Sequence, residues 1–134
     1  MAQYSRLKIT SIKCNSPSEN GVFKEFNDEV YLLCQADGGV PIRYPMCLTD
    51  SHSMTTGNTW VIDNLILNFE YEILITLWDV DVTLDPQVGT YLVSHEYCYN
   101  GDNMKEGNHS VTPGKNPNGA SYTINSTALS PIQG

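Results

Sequence analysis

Two consecutive runs, Leu65-Ile66-Leu67-Asn68-Phe69 and Ile73-Leu74-Ile75-Thr76-Leu77, place a large apolar side chain at every second position. That period belongs to a strand with one face turned inward. Leu65, Leu67, Phe69 and Tyr71 fall on one phase, and no segment sustains helical periodicity. An apolar sheet face must be covered, so the pattern demands a second sheet. The remaining strands read off the same way. Leu7 and Ile9 alternate with Lys8 and Thr10, and the phase shifts at Ser11 to bring Ile12 and Cys14 inward, which predicts a bulged first strand. Val30 to Cys34 forms a second strand ended by Ala36-Asp37-Gly38-Gly39, and Ile42 to Leu48 a third that Pro45 confines to an edge. Trp60-Val61-Ile62 and Leu65 to Phe69 read as one interrupted strand. Val88 to Val93 and the alternation Ala120, Tyr122, Ile124 supply two more. Asn15 to Asn27, Thr49 to Asn58 and Asn100 to Asn118 read as loops. The expectation is an all-β fold, an antiparallel β-sandwich of seven to eight strands. The 134 residues, 1–134, suit a single domain.

Charge excludes several functions. Fifteen acidic residues against 7 basic ones give a net charge of −8, and no run of Lys or Arg is present to neutralise a row of phosphates. Nucleic acid is therefore not an expected partner. The same charge repels an anionic lipid surface unless a cation bridges the two or the headgroup is neutral. The start of the sequence carries no basic region and apolar core of a secretory signal, and nowhere do about 18 apolar residues run together. A soluble protein is expected, cytoplasmic or exported without a classical signal peptide.

Cys14, Cys34, Cys47 and Cys98 show no CxxC spacing, and Cys14 and Cys34 occupy apolar strand positions where a thiol acts as a small hydrophobe. His95 and Cys98 read as a surface histidine beside a strand-end cysteine. Nucleophile elbows, phosphate loops, dinucleotide fingerprints and zinc-protease motifs are absent from the sequence, and no enzymatic activity is expected. Trp60 and Trp78 fit core or sheet-surface packing better than sugar stacking.

Chemistry concentrates in Leu77-Trp78-Asp79-Val80-Asp81-Val82-Thr83-Leu84-Asp85-Pro86-Gln87-Val88-Gly89. Three carboxylates on one short loop repel each other unless a cation, backbone N–H groups or open water compensates them. Asp79 and Asp81, two apart, can face one side of a strand end, Asp85 returns toward them, and Gly89 lets the chain re-enter the sheet. Calcium requires six to eight oxygen ligands, so a second loop would contribute, and Asn27-Asp28-Glu29 is the best placed. The plain alternative is a solvated strand end at Asp79 and Asp81, with Asp85-Pro86 starting a turn and Asp28 acting as a turn residue.

The pattern resembles C2 domains, the calcium-dependent membrane-targeting β-sandwiches. The resemblance rests on the opening strand Leu7-Lys8-Ile9, on Asp28 ahead of a strand containing Tyr31, and on Thr56-Gly57-Asn58-Thr59-Trp60, which is similar to a Thr-x-Asn-Pro-x-Trp turn. It continues through a strand ending at Phe69 and the Asp79-Val80-Asp81 to Asp85 and Gly89 loop. It spans roughly residues 6 to 95. Residue by residue, it implies Asp28 as a first-loop calcium ligand and Asp79, Asp81 and Asp85 as third-loop ligands. The sequence departs from the family where a second first-loop Asp is usual. Val22 lies near that place, leaving Glu19 or Glu25 as substitutes, and the third loop is about one residue short.

The resemblance implies a calcium-binding module that associates with phospholipid membrane or another surface. The apolar Val80, Val82 and Leu84 at the loop tip could enter a bilayer or fold back on the domain. Of the basic residues that the family places near the loops or on a strand face, only Arg43 stands in the third strand. The alternative function is a non-enzymatic recognition or assembly protein (a lectin, toxin component or structural subunit) with a protein or glycan partner and no functional calcium.

Overall fold

The computed structural model describes residues 3–17, 28–47, 50–80, 87–95, 99–100, 103–104, 107–111 and 120–133. Eleven strand segments are described: β1 (Gln3–Ser16), β2 (Asp28–Ala36), β3 (Ile42–Tyr44), β4 (His52–Met54), β5 (Thr59–Phe69), β6 (Glu72–Asp79), β7 (Gln87–Ser94), β8 (Tyr99–Asn100), β9 (Asn103–Met104), β10 (Gly107–Val111) and β11 (Ser121–Gln133). One sheet has the order β10-β11-β1-β5; the other has β3-β2-β6-β7, with β4 also paired to β2. Every described pairing is antiparallel. The expected sandwich is therefore present, with nine strands in its two sheets.

The core follows the period of two. Ile73, Ile75 and Leu77 of β6, Leu67 and Phe69 of β5, and Val30 and Leu32 of β2 are all buried. In β1 the inward series changes phase as the sequence predicts. Leu7 and Ile9 are buried, the register shifts between Ile9 and Ser11, and Ile12 and Cys14 then face inward. Across that shift Ile9 faces Leu65 whereas Ser11 faces Val61, so β5 carries the extra residues. The bulge explains why β5 reads as interrupted while remaining one strand.

Four expectations are corrected. Tyr71 does not share the face of Leu65, Leu67 and Phe69; it lies in the β5–β6 turn and is 62% exposed. There the backbone N–H groups of Glu70, Tyr71 and Glu72 turn toward the Asp37 carboxylate at 2.8, 2.7 and 3.0 Å, which breaks the strand phase. Thr49 to Asn58 is not wholly loop, because β4 pairs Asp28–Val30 and fully buries Met54. Asn100 to Asn118 likewise holds β8, β9 and β10, the last joining β11 through backbone pairing that its polar composition does not announce. Gly89 is an ordinary strand residue opposite Leu77, where an added Cβ would meet side-chain atoms at 3.5 Å, a normal packing distance.

Candidate metal site

Asp28 opens β2 on the inward phase it shares with Val30, Leu32 and Cys34, and Asp79 closes β6 on the inward phase of Ile73, Ile75 and Leu77. Val30 pairs with Asp79, so Asp28 lies two residues nearer the strand end on the same inner face. Both are withdrawn from water, Asp28 at 0% and Asp79 at 1% exposure. A solvated strand end therefore does not describe Asp79. Asp81 and Asp85 lie outside the described residues, as do Glu19, Glu25, Val82, Leu84 and Cys98. Val80, which follows Asp79, is 43% exposed.

A buried carboxylate must be hydrogen-bonded to stay charged. Asp79 Oδ1 accepts the Glu29 N–H at 2.7 Å, while the Glu29 carbonyl accepts the Val80 N–H at 2.9 Å. Asp28 Oδ2 accepts the hydroxyl of Tyr122, which reaches across from the other sheet. Tyr122 is itself fully buried, pairs with Cys14 in the neighbouring strand and is hydrogen-bonded to the Cys14 thiol. Burial first, and the Asp28 contact second, push the Tyr122 phenol well above its ordinary range. Burial likewise raises the Cys14 thiol, the nearby Asp28 charge adds to that, and the Tyr122 hydrogen bond offsets part of it.

The Thr55–Asn58 turn closes the same end. Gly57 adopts φ +86, its N–H donates to the Cys14 carbonyl at 2.8 Å, and the Asn58 carbonyl accepts the Cys14 N–H at 2.9 Å. A left-handed φ here favours glycine. Asn58 Oδ1 caps the turn by accepting the Thr55 N–H at 3.0 Å. Trp60, entering β5, is buried with its ring 4.8 Å from a parallel His52 ring and 5.7 Å from Tyr44. Trp78, on the outer phase of β6, donates its indole N–H to Thr76 Oγ1 at 2.8 Å. Both tryptophans thus pack within the domain.

Arg43 is already engaged. Its guanidinium donates to the carbonyls of Pro45 and Cys47 at 2.6 Å each and of Asp50 at 2.7 Å, and its Cζ lies 4.2 Å from the centroid of the Tyr31 ring. It organises the segment after β3 rather than standing ready for an anionic headgroup.

Two carboxylates on one inner face offer hard oxygen donors of the kind calcium takes, although two are fewer than an ion requires. Among the described residues no group of three or more His, Cys, Asp and Glu side chains is assembled to hold a metal. The sequence offers Asp28 and Asp79 as candidate ligands, and the structure adds Tyr122 and Cys14 beside Asp28. Tyr122 was legible only as an inward aromatic in the Ala120, Tyr122, Ile124 alternation. A buried phenol needs a partner, but which one is set by the stacking of the two sheets.

No family profile and no curated protein sequence matches the chain. Solved structures do. The C2A- and C2B-domains of Extended-Synaptotagmin 2, calcium bound, align over 96% of this chain and 46% of theirs, with 13% identity and a TM-score of 0.59. The chain has the C2-domain fold. Human GIVD cytosolic phospholipase A2 aligns over 96% of this chain and 16% of its own, with 12% identity and a TM-score of 0.57. The C2A domain of plant Extended Synaptotagmin 1 aligns over 99% of this chain and 98% of its own, with 6% identity and a TM-score of 0.54. The chain thus spans less than half of the first two proteins' chains and nearly the whole of the third. At these identities the likeness establishes the C2 sandwich and nothing of what it binds.

Proposed function

We propose that this C2-like sandwich binds calcium at the Asp28 and Asp79 end and uses the ion to associate with phospholipid. The reading is carried by the position of those two carboxylates, buried on one inner face at the strand ends from which residues 80–86 and 18–27 depart. Asp28, Asp79, Asp81 and Asp85 would hold the ion, the last two from the connection between β6 and β7. When bound, calcium supplies positive charge at the acidic end of a protein whose net charge is −8, where anionic headgroups are otherwise repelled.

The chain's own residues have separate parts. β2 and β6 fix Asp28 and Asp79 as neighbours, and the Glu29 N–H orients Asp79. Tyr122 holds Asp28 from the facing sheet. With Arg43 engaged by three carbonyls, attraction to a membrane would rest on the bound cation and on exposed Val80 rather than on that basic side chain. No catalytic role is proposed. Sedimentation with phosphatidylserine vesicles, in calcium and in chelator, tests the reading. It requires binding in calcium that chelator and Asp79→Asn abolish; equal binding in both conditions contradicts it.

A second reading, a protein-binding module without functional calcium, draws on a different observation. Val40, Ile42 and Met46 are 86%, 61% and 83% exposed and lie close in sequence around β3. Calcium-independent association of this chain with a protein, lost on Ile42→Asp/Met46→Asp, would favour it.

A further inference from the structure

We infer that Tyr122 is the internal competitor for calcium at Asp28, a positioning residue that satisfies the carboxylate when the protein is metal-free and thereby sets how weakly the ion is held. The inference rests on the calcium reading above and adds a determinant from the opposite sheet.

Three observations carry it. Asp28 is fully buried and its Oδ2 is committed to the Tyr122 hydroxyl. Tyr122 is equally buried and comes from β11, whereas Asp28 opens β2, so the contact spans the two layers of the sandwich rather than belonging to one loop. Tyr122 pairs with Cys14 across β11 and β1, and the backbone of Cys14 is pinned to the Gly57–Asn58 turn by two hydrogen bonds. The hydroxyl therefore sits on a rigid support. With one proton to give, it donates to the carboxylate.

A buried carboxylate is stabilised either by a hydrogen-bond donor or by a cation, and a donor already in place makes it a poorer ligand. Removing the hydroxyl costs the metal-free state a charge-assisted hydrogen bond. In the loaded state the ion satisfies the same oxygen, so the loss there is smaller. Stability in chelator and affinity for calcium must then move in opposite directions, whereas a merely structural tyrosine would lower both.

The test is calorimetric titration with calcium chloride and a thermal melt in chelator, on the wild type and on Tyr122→Phe, which keeps the ring. The expected result is a lower melting temperature in chelator together with calcium affinity raised about tenfold, the factor of one charge-assisted hydrogen bond. Binding by the variant alone also supports the inference. Equal or weaker binding by the variant overturns it and leaves the calcium reading standing; binding by neither protein overturns both. Should Tyr122→Phe not fold, the tyrosine ultraviolet difference spectrum of the wild type on calcium addition decides. A blue shift, from a phenol losing its carboxylate partner, supports the inference, and no change overturns it.

Discussion

Glu29 and Asp79 hold each other across β2 and β6: the Glu29 N–H donates to Asp79 Oδ1 at 2.7 Å, and the Glu29 carbonyl accepts the N–H of Val80 at 2.9 Å. The ladder thus continues past its last regular pair through a side chain. Asp79→Ala strands a backbone donor and is expected to cost about 1–3 kcal/mol in chelator. Asp79→Asn keeps an acceptor oxygen and costs less. Urea unfolding of both variants measures the difference.

Asp37 gathers three backbone N–H groups from the β5–β6 turn at the opposite end of the sandwich. Partial burial raises its carboxyl, but the hydrogen bonds from Glu70, Glu72 and Tyr71 outweigh it, and the net direction is below the ordinary 3.8. A native value below the unfolded one contributes stability above pH 3.8, and that stability is lost as pH falls through the lowered native value. Asp37→Asn should melt below the wild type at neutral pH, and the two should converge under strong acid. Because Asp37 is largely exposed, the gap is expected to be modest, below about 1 kcal/mol. Thermal melts from pH 7 downward follow it.

Arg43 ties Pro45, Cys47 and Asp50 to β3 with a planar fork that lysine cannot reproduce. Arg43→Lys should leave the global melting temperature nearly unchanged while speeding amide exchange at Cys47 and Asp50 severalfold, as expected of local opening. Exchange read by nuclear magnetic resonance checks it.

The cysteines should separate by reactivity. Burial pushes the Cys34 thiol up to about 12 and raises Cys14 as well, whereas Cys47 is exposed. At pH 8 Cys47 should react with a maleimide quickly in the native state, and Cys14 and Cys34 only on unfolding. Peptide mapping after a short pulse identifies the labelled positions.

Where burial alone dictates position, the sequence was readable. The phase change from Ile9 to Ile12, the alternation through Ile73, Ile75 and Leu77, and the apolar placement of Cys14 and Cys34 all follow from which side chains must leave water. Elements held by backbone pairing were not. β4 has one buried residue, Met54, and β10 joins an existing edge, so neither leaves a periodic trace in composition. Tyr71 followed the arithmetic of alternation until a distant carboxylate, Asp37, took hold of its turn. At the acidic end the carboxylates could be named, whereas the partner of Asp28 is separated from it by most of the chain and becomes visible only when the sheets are stacked.

The most direct measurement is a calcium titration by calorimetry, paired with thermal melts in calcium and in chelator, for the wild type and Asp79→Asn/Asp81→Asn. Saturable heat and a melting temperature raised by calcium in the wild type alone are the predicted result, since a ligand that binds only the folded state stabilises it. Millimolar calcium producing neither heat nor stabilisation in the wild type would contradict the account, leaving the C2 sandwich as a recognition scaffold without a metal.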